Sequence, residues 1–139
     1  MRAEGCVFCS IVAGHVPAHV VASDDATLAF LDSRPVFPGH TLLVPRDHHE
    51  TLTDLPADLL GPLFDAAQRL ARAVEAGMDA HGTFVAMNNR VSQSVPHLHV
   101  HVVPRRRKDG LRGFFWPRQR YRDEEEMAEV AARIRAAGG

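Results

Sequence analysis

Residues His97-Leu98-His99-Val100-His101-Val102-Val103 alternate imidazoles with apolar side chains and end on a β-branched pair. Alternation of period two suits a half-buried strand, in which successive side chains face opposite ways. Leu98, Val100 and Val102 then enter a core, and the three histidines share the other face. At the usual strand rise, successive rings stand roughly 6.6 Å apart along that face, within reach of one small substrate. Packing alone is a poor reason for three such rings, because up to six ring nitrogens need partners. A merely solvated histidine face sits badly with the patterned apolar side. One metal ion held by all three rings is disfavoured as well, since Zn–N bonds are only about 2.0–2.1 Å long. An active-site row is the more economical reading.

A chain of 139 residues suffices for one domain with a sizeable core, expected to span 1–139. No apolar run approaches the roughly 18 residues of a membrane helix, and the start lacks the apolar stretch of a secretory signal. The two cysteines, Cys6 and Cys9, make no disulfide framework, so a reducing cytoplasm and no membrane partner are expected. The net charge of −1 hides an asymmetry: residues 105–122 carry 8 basic and 1 acidic side chains. That block is either a phosphate-attracting rim or a solvated loop.

Cys6 to Ala13 reads as a short helix or turn, stopped by Gly14. Strands are predicted at Val20–Ala22 and Thr27–Leu31 around an Asp24-Asp25 turn. A Pro38-Gly39 turn then leads into a strand at His40–Val44. Leu59, Leu63, Ala67, Leu70 and Val74 form the stripe of a long central helix, capped by Asp54 and ended near Gly77, with a kink or restart at Gly61-Pro62. Thr83–Met87 is a further strand, Asn88–Gln93 a polar loop, and Asp123 opens a last helix whose charges suit its dipole. Consecutive strands with helices between and after them indicate an α+β fold with an antiparallel sheet. No glycine-rich phosphate loop and no GxSxG elbow is present.

The His97–Val103 segment, with Gln93-Ser94-Val95 before it, Phe30-Leu31-Asp32, Pro38-Gly39-His40 and Cys6-Val7-Phe8-Cys9, resembles the histidine triad (HIT) superfamily over about residues 6–104. The resemblance implies a five-stranded antiparallel sheet with a long central helix and a C-terminal helix, paired as a homodimer. It also implies cleavage at the α-phosphorus of nucleoside phosphoramidates or dinucleoside polyphosphates through a nucleotidyl-histidine, releasing a nucleoside monophosphate. By family position His99 is the nucleophile, His101 contacts phosphate or leaving group, and Ser94 lies near the leaving group. An imidazole with a pKa near 6.5 is a competent nucleophile at neutral pH. Phe8, Ile11 and Phe30 correspond to walls around a purine base, as in an AMP-containing substrate. Asp32 corresponds to the ribose acceptor, with His40 near by; Asn88 and Gln93 correspond to substrate contacts. Core packing for the apolar residues and a turn cap for Asp32 are the plainer alternatives.

A bare CxxC supplies half of a tetrahedral zinc site. Similarity to bacterial HIT proteins implies that Cys6 and Cys9 complete it with His48 and His97, His49 being a substitute for His48. Such a zinc is structural, and no organic cofactor is expected. The Asn88–Gln93 loop lacks the glycine of many relatives, and Arg90 is an added cation there. Phe114, Phe115 and Trp116 after the basic block anchor the tail or border the active site, and with the arginines they also suit single-stranded nucleic acid, a less favoured partner. Nucleotidyl transfer or phosphorolysis, removal of adenylate from nucleic-acid ends, and a zinc-stabilised nucleotide-binding scaffold are the competing functions.

Overall fold

The computed structural model describes residues 2–111 and 118–138. They fall into two compact units, Met1–Asp109 and Gly110–Gly139. The first holds helix α1 (Val7–Val12), strands β1 (Val20–Ser23), β2 (Thr27–Leu31) and β3 (Thr41–Pro45), helix α2 (Ala57–Gly77), and strands β4 (Gly82–Ala86) and β5 (Val100–Arg105). The second holds helix α3 (Glu124–Ala136). The fold is α+β: the strands form one five-stranded sheet in the order β1-β2-β3-β5-β4, and every pairing is antiparallel.

Alternation along the strands gives the sheet two apolar faces. Ala29, Leu43, Leu98, Val100 and Val102 pack under α2 against Leu63, Ala67, Leu70 and Val74. Leu28, Phe30, Leu42 and Val44 face the other way, toward Phe8 and the two cysteines of the α1 segment. The predicted stripe of α2 is therefore the buried one, with Leu59 only partly covered. The helix runs unbroken through Gly61 and Pro62. Pro62 removes one helical N–H in the second turn. Five buried side chains downstream outweigh that loss.

Asp54 does not cap α2. It closes a 3-10 turn over Leu52–Asp54, where its Oδ2 accepts from Thr51 N at 3.1 Å and from Thr51 Oγ1 at 2.6 Å. Pro56 takes the N-cap position of α2 instead. The turn at Gly39 has φ +99°, and a Cβ there would stand 2.6 Å from Met78 Cγ. Only glycine suits that position. The turn delivers His40, 4% exposed, to the start of β3.

The histidine segment is only partly strand. His97 lies in a bend, and the ladder begins at Val100. His97 N donates to Val95 O at 2.8 Å and Leu98 N to His49 O at 2.7 Å, so the backbone is tied to loops before it joins the sheet. Pro96, which has no N–H to give, stands in the same bend just before His97. The alternation of faces survives nonetheless.

Candidate active site

Phe30, Leu42, His101 and Ala86 form one cross-strand row, in the pairs Phe30–Leu42, Leu42–His101 and Ala86–His101. His101 therefore stands on the same face as Phe30, and α1 brings Phe8 over the row. Phe8 meets Phe30 edge-on at 5.5 Å between ring centroids, His97 at 5.9 Å and His99 at 5.1 Å. Ring faces are electron-rich and edges electron-poor, so these T-shaped contacts are favourable and clamp the imidazoles sideways. The rings of His99 and His101 lie 5.0 Å apart, closer than a flat strand would set them.

The hydrogen bonds determine which nitrogen of each ring is protonated. His99 Nδ1 lies 2.7 Å from His97 O. A carbonyl only accepts, so Nδ1 carries the proton and Nε2 keeps a lone pair. Val36 N donates to His40 Nδ1 at 3.0 Å, which leaves the proton of neutral His40 on Nε2. That nitrogen is 2.9 Å from His101 Nδ1, so His40 donates and His101 must carry its own proton on Nε2. Asp32 Oδ2 stands 3.7 Å from His40 Nε2 and adds a negative charge behind the relay.

Burial, with the neighbouring His99 and His40, holds the His101 pKa down to about 4, so the ring is neutral at pH 7. Burial also lowers His40, opposed by Asp32. His97, buried beside the other rings, is held down to about 4 despite its bond to Pro45 O. The result is a lone pair on His99 beside an N–H on His101. That pairing suits nucleophilic attack with a proton donor alongside.

A cavity of about 770 Å³ opens over these two rings, lined by Phe8, Ile11, Phe30, Asp32, Ser94, His99 and His101 among others. It therefore brings together most of the expected catalytic and base-pocket residues. His40 lies behind His101 rather than in the cavity wall. Asn88 and Gln93 lie outside the wall too: Asn88 Nδ2 donates to Ser92 O, and Gln93 bridges Arg90 N and Glu50 O. With Arg90 and Ser92 both at positive φ, those bonds shape the glycine-free loop. Asp32 serves its turn as well, Oδ1 accepting from Arg34 N at 2.9 Å.

Sequence reading missed the wall at Val16–His19 and Arg34, since an irregular segment carries no periodicity to flag it. The start of the basic block is engaged away from the cavity. Arg105 pairs with Asp109, Arg106 donates to Met78 O, and Arg107 N to His81 Nδ1. Phe114, Phe115 and Trp116 lie outside the described residues.

Behind His99, the donor atoms of Cys6, Cys9, His48 and His97 all lie within 4.8 Å of one another. Cys6 Sγ and Cys9 Sγ are each 3.5 Å from His97 Nδ1, Cys9 Sγ is 3.4 Å from His48 Nδ1, and the two Nδ1 atoms are 3.2 Å apart. A tetrahedron with Zn–S near 2.3 Å and Zn–N near 2.05 Å has S–N edges of about 3.5 Å and N–N edges of about 3.3 Å. The match is close. His97 Nε2 lies 2.9 Å from Pro45 O and so holds the proton, leaving the Nδ1 lone pair directed into the cluster. His48, not His49, supplies the fourth donor.

An α+β fold whose five-stranded antiparallel sheet leads into alternating histidines under a cavity is the architecture of the histidine triad class. The HIT domain model matches residues 13–108. This chain belongs to the HIT family. The HIT-like protein Rv1262c of Mycobacterium tuberculosis is 44% identical over 108 residues, 76% of this chain and 75% of that protein. Adenosine 5'-monophosphoramidase HNT1 of Saccharomyces cerevisiae is 33% identical over 115 residues, 82% of this chain and 71% of that protein. Among solved structures, SMU.412c from Streptococcus mutans matches with TM-score 0.87 at 33% identity, over 98% of this chain and 87% of that one. A Zn-bound histidine triad family protein from Mycobacterium smegmatis matches with TM-score 0.74 at 38% identity, over 96% and 97%.

Proposed function

We propose that this protein hydrolyses nucleotides at the α-phosphorus, with His99 as nucleophile and a nucleoside monophosphate as product. The observation that carries the reading is the His99 Nδ1 contact to His97 O, which commits Nε2 to be the free lone pair over the cavity. In the first step a bond forms between Nε2 and the α-phosphorus. The bond from phosphorus to the leaving group breaks, and its electron pair departs with that group. In this reading His101 Nε2–H and Ser94, both in the cavity wall, donate to phosphate oxygens or to the departing atom. Water then attacks phosphorus and gives up a proton to the group that donated in the first step, the P–N bond breaks, and the ring recovers its lone pair. One hard displacement becomes two easier ones.

Phe8, Ile11 and Phe30 offer the cavity an apolar wall for a base, and the Asp32 carboxylate in the same wall has acceptor capacity for ribose hydroxyls. HNT1, by its name, acts on an adenosine phosphoramidate, which favours an adenylyl substrate here as well. The four-donor cluster fits zinc, and Cys6, Cys9, His48 and His97 would hold it. With all four positions taken by protein, zinc would cross-link the α1 segment to the catalytic segment and take no part in bond breaking. We also read the chain as a cytoplasmic homodimer. The supports are its free thiols, the open edge of β4 with Val85 exposed, and the exposed pair Leu60 and Phe64 one turn apart on α2.

The test incubates wild type and His99→Ala with adenosine phosphoramidate and with a dinucleoside polyphosphate, with and without inorganic phosphate. AMP release by the wild type and a loss of about a thousandfold or more in the variant are expected. Phosphate-dependent ADP release would replace hydrolysis by phosphorolysis. Equal turnover by the two proteins would remove His99 from the chemistry.

A further inference from the structure

The Asn88–Gln93 loop holds two non-glycine residues in the left-handed region, Arg90 at φ +70° and Ser92 at φ +61°. Each carries a steric cost that surrounding bonds must offset. Within the loop, Asn88 Nδ2 donates to Ser92 O at 3.1 Å. Three further bonds tie the stretch 89–98 to the stretch 49–52. Leu52 N donates to Asn89 Oδ1 at 2.9 Å, Gln93 Nε2 to Glu50 O at 2.6 Å, and Leu98 N to His49 O at 2.7 Å. Gln93 works at both tips of its amide, because Oε1 also accepts from Arg90 N at 2.8 Å. A carboxylate in its place could accept but not donate.

Ser94 follows directly and lines the cavity with His99 and His101, whereas Gln93 stays out of its wall. Among the described residues nothing bonds the Ser94 hydroxyl, so that group is free for a substrate and only its backbone aims it. The backbone is pinned at Gln93 on one side and at Leu98 on the other, and Pro96 stiffens the span between. We propose that Gln93 is a positioning residue: it clamps Arg90 to Glu50, holds the strained loop in one conformation, and so fixes the Ser94 hydroxyl where the leaving group departs. Its effect on catalysis rests on the hydrolytic reading, in which Ser94 donates to that group. A displacement of about 1 Å at a reacting centre can cost about 100-fold in rate, so a clamp that touches no substrate still governs turnover.

A double-mutant cycle in the full-length protein decides it, with adenosine phosphoramidate as substrate. Gln93→Met keeps the side-chain length and removes both bonds. It should lower kcat by about tenfold with KM within about twofold, and by less than about twofold once Ser94→Ala is present. An equal loss in both backgrounds overturns the proposal, since Gln93 then acts without Ser94. Ser92→Gly added to Gln93→Met should recover most of the lost kcat, because glycine takes positive φ without steric cost, and Ser92→Ala should recover none. Equal recovery by the two, or recovery by neither, also overturns it. One readout needs no turnover. The amide order parameter of Ser94 should fall from about 0.85 toward about 0.6 in Gln93→Met and return with Ser92→Gly. An unchanged order parameter overturns the clamp whatever the activity. A fall in protein whose wild type releases no AMP keeps the clamp on Ser94 and removes the hydrolytic reading alone.

Discussion

His101 shows how much a single side chain can owe to its surroundings. Its proton position is dictated by His40, whose own is dictated by the Val36 amide, so two hydrogen bonds place a donor beside the His99 lone pair. His101→Ala should therefore lower kcat by about 100- to 10,000-fold, measured as AMP release under saturating substrate. The depressed pKa of His101 also has a stability consequence. An unfolded histidine protonates near 6.5 and the folded one near 4, so between those values the unfolded chain binds more protons. The contribution of this ring to stability is complete above about pH 6.5 and is lost as pH falls toward about 4. A series of Tm values across that window should fall less steeply for His101→Gln than for the wild type. A parallel pair of curves would remove His101 as the cause.

At the scale of elements, α2 joins a strong apolar stripe to a weak start. Gly61 lies inside the helix, and a Cβ built there meets nothing within 4 Å. Gly61→Ala should raise unfolding free energy by about 0.5–1 kcal/mol in urea titrations, because alanine loses less backbone entropy and brings no clash. Leu63, 1% exposed between α2 and the sheet, tests the opposite sign. Leu63→Ala should cost about 2–5 kcal/mol, the transfer term plus the cavity left behind. The helix and strand positions were legible because their apolar periods are unambiguous. The first residues of the histidine segment were not, because Pro96 and the bonds of His97 and Leu98 to loop carbonyls act through tertiary contacts that no local pattern records.

Across the whole molecule, the Cys6–Cys9–His48–His97 cluster ties three separate stretches of chain to one point. Stripping metal with a strong chelator should lower Tm and release α1 first, seen as faster amide exchange over Val7–Val12 than in the α2–sheet core. Cys6→Ser should lower bound zinc from one per chain toward zero, and unchanged content would take this cluster out of metal binding. Light scattering should give a solution mass of twice the 15.3 kDa chain.

Sequence alone sufficed for the sheet face that carries the histidines, the stripe of α2 and the family, since each is written in periods of two or 3.6 and in one specific motif. Tertiary structure alone decided which nitrogens hold protons, that His48 rather than His49 joins the thiols, and that His40 works from behind His101. The physical reason is directional. Hydrogen bonds and donor-atom tetrahedra depend on ångström-scale approach between residues as far apart in the chain as Cys6 and His97, and spacing along a sequence carries no such distance.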